Sequence, residues 1–316
     1  MNDALTDRPR IVVVGSLNMD LVLRVARAPE AGETVMAESL HHLPGGKGGN
    51  QAVACARLGG EVQLFGRLGN DGHGQALRAA LQSDRIDAIG VQTDAQAPTG
   101  VATILVDDAA QNRIVVAAGA NGRFALDASA LSPALSQADC LVAQLEVPLG
   151  EVLAAARLAQ AAGCRVLLNP SPVQALPEAI WSLVDTLVVN ETEAAALGGG
   201  EVGTPAEAAL AAQKLLGRGP ARVVVTLGAA GAVAADSAGC RHHPGMAVQA
   251  VDTTAAGDTF MGALAVALGQ GQSLDAAVQR GIRAAALCVT RAGAQPSIPT
   301  AAEVDASPLP SPWSPL

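Results

Sequence analysis

The segment Val251-Asp-Thr-Thr-Ala-Ala-Gly-Asp-Thr-Phe260 sets small residues and then Asp258 at the head of an apolar pattern. That pattern predicts a helix over about 257–269. A helix N-terminus has free backbone N–H groups and a partial positive charge. Ala255, Ala256 and Gly257 let an anion approach those amides closely. Asp258, at the same spot, can take a proton from an attacking hydroxyl. An anion hole and a base within one turn point to group transfer onto an alcohol, most simply phosphoryl transfer.

Other polar groups fall at the ends of predicted strands, where open α/β sheets hold ligands. Asn18 and Asp20 follow the first strand, and both can accept hydrogen bonds from sugar hydroxyls; a plain turn is the alternative reading. Gly45-Gly-Lys-Gly-Gly-Asn50 offers close backbone approach, an ammonium and an amide. It is not a Walker A loop, because Gly48 rather than Ser or Thr follows Lys47. Lys47 and Lys214 are the only lysines in the chain, against eighteen arginines, which favours a binding role for a lysine held among glycines. Glu146 follows a strand and precedes Pro148. Asn190 ends a strand, and Glu193 opens the next helix, where its charge is stabilised anyway; water-mediated Mg²⁺ binding is the functional alternative. The run Thr226, Leu227, Gly228, Ala229, Ala230, Gly231 is a strand-to-turn segment able to pass over a nucleotide. Asp71 reads as a helix cap. The pairs His41-His42 and His242-His243 read as surface residues, since neighbours on a strand point to opposite faces.

The elements that position these groups follow from periodicity. Residues 11–15 read as a buried strand. Segments near 20–24, 34–41, 99–106 and 112–117 read as strands of a small, half-exposed sheet. Helices are expected over 49–58 and 74–83, with a strand at 62–65 between them. From about 139 onward strands (140–144, 165–169, 183–190, 221–227) alternate with helices (149–161, 204–216), which predicts a mostly parallel sheet flanked by helices. Helices near 257–269 and 274–290 close an α/β domain over 11–305. Residues 1–10 are expected to be a flexible N-terminus, and the Pro/Ser-rich tail 306–316 to be loose.

Composition narrows the function classes. With 316 residues, half of them apolar, the chain can bury a large core. A net charge of −9, no Tyr, three Phe and two Trp argue against nucleic acid as a partner. The five scattered cysteines include no Cys-x-x-Cys, so neither a disulfide framework nor a zinc site is indicated. Reduced thiols, the absence of an apolar leader in the first ten residues and the absence of a membrane-length apolar run lead to the expectation of a cytoplasmic protein with no membrane partner.

Two stretches, Gly45-Gly-Lys-Gly-Gly-Asn-Gln-Ala-Val53 and Asp252-Thr-Thr-Ala-Ala-Gly-Asp-Thr-Phe260, resemble the signature patterns of the ribokinase family, the carbohydrate kinases also called the PfkB group. The resemblance runs from about residue 9 to 300, in the family's order. Gly15-Ser-Leu-Asn-Met-Asp-Leu21 and Val289-Thr-Arg-Ala-Gly-Ala-Gln-Pro-Ser-Ile-Pro299 are more similar to the family's ribose-directed branch than to its nucleoside- or fructose-directed ones.

The resemblance implies a ribokinase-like α/β domain with a small β-sheet lid from about 17–44 and 97–118, paired lids in a homodimer, and ATP-dependent phosphorylation of D-ribose at O5. Asp258 would be the general base, and Ala255, Ala256 and Gly257 the hole for the transferred phosphoryl group. Asn18, Asp20, Gly46, Lys47, Asn50 and Glu146 would hold the sugar. Asn190 and Glu193 would organise Mg²⁺ and phosphates, and Thr226 to Gly231 would line the nucleotide site. Asp252, Thr254, Cys288, Arg291, Gly293 and Ser297 match a K⁺ loop, several through backbone carbonyls. Gly49 stands where Ala is common, and Ile282 where a polar residue often faces the nucleotide. The alternatives are a kinase for another pentose or a nucleoside, such as deoxyribose, and a non-catalytic sugar or nucleotide sensor on the same fold. A dinucleotide oxidoreductase is disfavoured by the missing Gly-x-Gly-x-x-Gly after the first strand.

Overall fold

The computed structural model describes residues 8–108 and 111–316. In chain order the first half runs β1 (Arg10–Val14), β2 (Asn18–Arg24), β3 (Ser39–Gly45), α1 (Lys47–Arg57), β4 (Glu61–Gly69), α2 (Gly72–Ser83), β5 (Asp87–Asp94), β6 (Gly100–Val106), β7 (Asn112–Ala117) and α3 (Ala128–Leu135). The second half runs β8 (Cys140–Ala143), α4 (Leu149–Ala161), β9 (Arg165–Leu168), β10 (Thr186–Asn190), α5 (Glu191–Gly198), α6 (Pro205–Leu216), β11 (Arg222–Thr226), β12 (Ala232–Asp236) and β13 (Gly239–His243). Then come α7 (Ala256–Gly269), α8 (Leu274–Cys288), α9 (Ala301–Ala306) and β14 (Ser314–Pro315).

The main sheet has ten strands in the order β14-β13-β12-β11-β10-β9-β8-β1-β4-β5. From β11 to β5 all pairings are parallel, and β12, β13 and β14 add an antiparallel edge. Continuous apolar runs such as Ile11-Val-Val-Val14 suit strands covered on both faces. Alternation then splits them. Ile11 and Val13 join the core under α1, α7 and α8, while Val12 and Val14 join the core under α3, α4 and α6. α7 is buried over most of its length, including Leu264 and Val266 at 0% exposure; such burial contributes about 1.5–3 kcal/mol per side chain. It lies tight against α1, where a Cβ on Gly262 would stand 2.4 Å from that of Ala54.

The strand order reverses at β1 and β8, which is where open α/β sheets bind ligands. The carboxyl ends of these two strands carry Ser16 to Asp20 and Gln144 to Glu146. A second, four-stranded sheet in the order β3-β2-β6-β7 rises over that edge as a lid.

The structure departs from the sequence expectation in several places. The lid strand expected at 34–41 lies instead at 39–45, where full pairing with β2 sets Gly45 opposite Asn18 and feeds the chain directly into α1. Of the expected flexible N-terminus, residues 1–7 lie outside the described residues, and Arg10 opens β1, its amide held by Asp139 at 2.8 Å. The tail is not loose at its end: β14 pairs with β13, and the Leu316 amide donates to the Cys240 carbonyl at 3.0 Å. His243, read as a surface residue, is 1% exposed and meets Asp275 of α8 at 2.9 Å. Adjacent side chains on a strand do face opposite ways, but α8 and the tail cover the face that His243 takes.

Candidate functional site

The N-terminus of α7 is built on an unusual residue. Ala255 has φ +59°, in the left-handed region, and stands just before the first helical residue. For a residue with a Cβ that conformation costs about 1–2 kcal/mol and is retained where surroundings impose it, commonly at functional sites. It aims the first turn outward. A Cβ on Gly257 would meet nothing within 4 Å, so the approach to its amide is open. Of the three expected donors one is already engaged: the Ala256 amide donates to the Thr253 carbonyl at 3.2 Å. The hole therefore rests on the amides that the first turn leaves without an intrahelical acceptor.

Asp258, one residue on, is 7% exposed. Asn50 donates to its Oδ2 at 3.0 Å, and Gln51 donates to its Oδ1 at 2.9 Å. The Asn50 side-chain oxygen is buried and unpartnered among the described residues, leaving an acceptor beside the carboxylate. Gln51 was not singled out from the sequence, although it stands inside the quoted glycine motif. A lone amide carries no spacing signal.

The backbone of the glycine motif is engaged by protein. Lys47 is the first residue of α1, and the helix's opening amides are satisfied by protein. Lys47 N donates to Glu146 Oε2 at 3.1 Å, Gly48 N to Ser16 Oγ at 3.3 Å and Gly49 N to the Ser16 carbonyl at 2.8 Å. Ser16 Oγ in turn donates to Glu146 Oε2 at 2.5 Å. A Cβ on Gly48 would lie 2.5 Å from Ser16 N, so this glycine admits the end of β1, not an anion. Gly46, at φ +82°, turns the chain so that the Lys47 side chain enters the cavity. Gly49 leaves little room either, since a Cβ there would stand 3.1 Å from Leu17 and 3.2 Å from Gln295.

Asn18 and Asp20 lie on β2 above this corner, 3% and 7% exposed. The Asn18 oxygen is taken by Asn121 Nδ2 at 2.8 Å, which leaves Asn18 to present a donor rather than the expected acceptor. Asn121 also brackets Leu17 through both backbone groups; nothing in its sequence context marks it. Burial, with the Glu146 and Asp258 carboxylates nearby, pushes the Asp20 carboxyl up to about 7. Burial pushes the Lys47 ammonium down, but the carboxylates of Asp258, Glu146 and Glu193 outweigh it and hold it above its ordinary value.

Opposite Lys47 lies the C-terminal edge of β10 and β11. Asn190 accepts from Glu193 N at 2.8 Å and Glu193 Oε2 accepts from Asn190 N at 3.0 Å, a reciprocal cap on α5. Asn169, also not foreseen, donates to Glu193 Oε2 at 3.4 Å. A cavity of about 230 Å³ joins the two sides; Lys47, Asn169, Asn190, Glu193, Thr226, Ala255, Ala256, Gly257 and Asp258 all line it. Of the expected nucleotide loop only Thr226 reaches this cavity. Leu227 is buried in the core, Gly228 to Ala230 form an exposed 3₁₀ turn, and Gly231 packs on His243 to Gly245. Ile282 is likewise a core residue.

Behind the hole, the loop 251–254 and the segment 289–297 converge on Asp252. Its carboxylate accepts from Thr254 N at 2.9 Å, Thr254 Oγ1 at 2.6 Å and Gly293 N at 2.8 Å. Despite burial these bonds lower its pKa, so it stays anionic. An alkali cation takes a set of hard oxygens, of which the structure shows the Asp252 carboxylate. The side chains of Cys288 and Arg291 do not join such a set: the thiol meets Ser297 Oγ at 3.0 Å, and the guanidinium pairs with Glu303 at 2.6 Å. Those positions can contribute only backbone. No cluster of three His, Cys, Asp or Glu suited to a metal occurs among the described residues, and none of their helices is long and apolar enough to cross a membrane.

Known proteins share this fold. The sequence profile described as pfkB family carbohydrate kinase matches residues 8–301. A ribokinase of Haemophilus influenzae is 42% identical over 297 residues, covering 94% of this chain and 97% of the relative. A crystal structure of ribokinase from Thermotoga maritima superposes with a TM-score of 0.86 at 39% identity, covering 94% of this chain and 98% of the other. A structure of Arabidopsis thaliana ribokinase, complexed with ribose and ATP, gives 0.88 at 33% identity, covering 94% and 97%.

Proposed function

Since the chain belongs to the pfkB family of carbohydrate kinases, we propose that it transfers the γ-phosphoryl group of ATP to O5 of D-ribose, with Asp258 as the general base. ATP-dependent ribose phosphorylation is the activity its relatives carry by name, over nearly the whole chain. The observation that carries the residue assignment is the single cavity in which Lys47, Asp258 and the open amide of Gly257 meet. One small molecule can bridge them.

In this reading each residue has a task. Asn18 (as donor), Asp20, Asn50 (through its free oxygen), Gly46, Lys47 and Glu146 orient the sugar, and the lid sheet excludes water. The 5-hydroxyl oxygen attacks the γ-phosphorus in line while its proton passes to Asp258, and the β–γ bridging oxygen leaves with ADP. Charge on the transferred group falls against the Gly257 amide and the positive end of α7, where pre-aimed dipoles stabilise it.

Glu193 and Asn190 suit Mg²⁺ held through water near the phosphates, because the bonds to Glu193 all fall on Oε2 and its other oxygen is not engaged by them. The ion's contribution there is to neutralise phosphate charge. Asp252, with backbone oxygens of the two converging loops, suits K⁺, whose field would stiffen the turn that presents Gly257. A homodimer through the lid is supported by apolar side chains on the lid left in water, Ile114 at 57% and Val115 at 72% exposure. Five free, buried cysteines support a reducing cytoplasmic compartment. The test is ADP release measured over a panel of pentoses, hexoses and nucleosides: ribose should give the highest kcat/KM, and a nucleoside preference would overturn the reading.

A further inference from the structure

Gln51 and Gln144 are both 0% exposed, yet each carries a polar amide into a site where an apolar side chain would pack as well. The partners explain this. A carboxylate only accepts hydrogen bonds, so Gln51 must turn its nitrogen to Asp258 Oδ1, at 2.9 Å. Its oxygen then accepts from Gln144 Nε2, at 2.6 Å. Its nitrogen also reaches Asn169 Oδ1 at 3.4 Å, and Asn169 donates onward to Glu193 Oε2, again at 3.4 Å. Asp258 and Glu193 end two branches of the chain, and Gln144, whose own oxygen is buried without a partner among the described residues, ends the third. Gly15 makes room for it: a Cβ there would lie 2.0 Å from Gln144 Oε1.

We propose that Gln51 is a positioning residue, which, braced by Gln144, fixes the Asp258 carboxylate and couples it through Asn169 to Glu193 on the phosphate side of the cavity. Asn50 and Gln51 each hold one oxygen of Asp258, so together they set the plane of the carboxylate. Asn50 keeps a free side-chain oxygen for the sugar, whereas Gln51 is fully buried with both its amide atoms bonded to protein, and holds the base in both states. The chain also gives the proton acceptor and the phosphate side of the cavity a common frame, so a shift of one is felt by the other.

This rests on the reading of Asp258 as the base, and the experiment separates the two. Gln51→Met keeps length and apolar bulk but removes the donor. In the full-length enzyme, kcat from ADP release should fall about 10- to 100-fold, the scale of a misplacement near 1 Å, while the ribose dissociation constant measured calorimetrically without ATP changes less than about threefold. Introduced into Asp258→Asn, Gln51→Met should alter the residual rate less than about twofold, because the group it positions is gone. Equal losses in both backgrounds, or a loss confined to ribose affinity, would overturn the proposal. If Gln51→Met does not fold, Gln144→Met decides: a kcat loss of about 3- to 10-fold that vanishes with Asp258→Asn supports it, and a loss that persists there rejects it. A nearly active Asp258→Asn single variant would instead remove the base assignment itself.

Discussion

Asn50 donates its side-chain amide to Oδ2 of Asp258 across 3.0 Å, and that bond ties the glycine motif at the start of α1 to the helix that opens the phosphate corner. The two residues stand 208 positions apart. What brings them together is the reversal of strand order at β1 and β8 and the close contact of α1 with α7 at Gly262.

In the proposed sugar site, Asp20 is expected to make binding depend on pH near neutrality. With its carboxyl pushed up to about 7 by burial and by Glu146 and Asp258, it is mostly protonated at pH 6 and mostly ionised at pH 8. The ionised form accepts from two hydroxyls where the acid accepts less well, so ribose affinity should rise about tenfold from pH 6 to pH 8. Calorimetric titration across that range checks it, and Asp20→Asn should flatten the profile. The stability sign follows from the same shift. Between about 4 and 7 the folded state holds a proton the unfolded state has lost, so this group's contribution falls as pH rises through that window. Asp20→Asn should therefore raise Tm more at pH 8 than at pH 5.

Ala255 is held at φ +59° against its preference. Glycine removes a left-handed cost of about 1–2 kcal/mol and adds about 0.4–1 kcal/mol of chain entropy. Ala255→Gly should thus be neutral to about 1.6 kcal/mol more stable by urea unfolding. Ala255→Val, bulkier and β-branched, should lose both stability and turnover.

Much of this was legible in the residues, and what was not has physical reasons. Asp258, Lys47, Asn50 and Glu193 announced themselves by type and neighbourhood. Gln51, Gln144, Asn121 and Asn169 did not, because single amides have no periodicity and their partners are set by tertiary packing. The hairpin of β12 and β13 escaped because Ala232-Val-Ala-Ala-Asp236 is short of β-branched residues, and its pairing comes from β11. The strand expected at 34–41 was displaced because register with β2, a property of two segments, outweighs local composition. The glycines around Lys47 read as admitting a ligand, but Gly45, Gly46, Gly48 and Gly49 all abut neighbouring protein; a glycine reports a close approach without saying of what.

Glu193→Gln keeps the cap on α5, since glutamine serves as well as glutamate in that reciprocal arrangement. A loss can then be assigned to charge. The Mg²⁺ concentration for half-maximal rate should rise about three- to tenfold with Tm little changed; an unchanged Mg²⁺ profile would remove the proposed role.

Exchanging K⁺ for Li⁺ should lower kcat several-fold, and Asp252→Asn should abolish the difference between the two ions. Equal rates in both salts for the parent enzyme would count against the cation loop.

The most direct measurement is the turnover of Asp258→Asn beside its ribose affinity. If the base and the open amide at Gly257 act on one bound sugar and phosphate, kcat should drop about 10²- to 10⁴-fold while the ribose dissociation constant moves only a few-fold. Turnover within a few-fold of the parent enzyme would contradict the account.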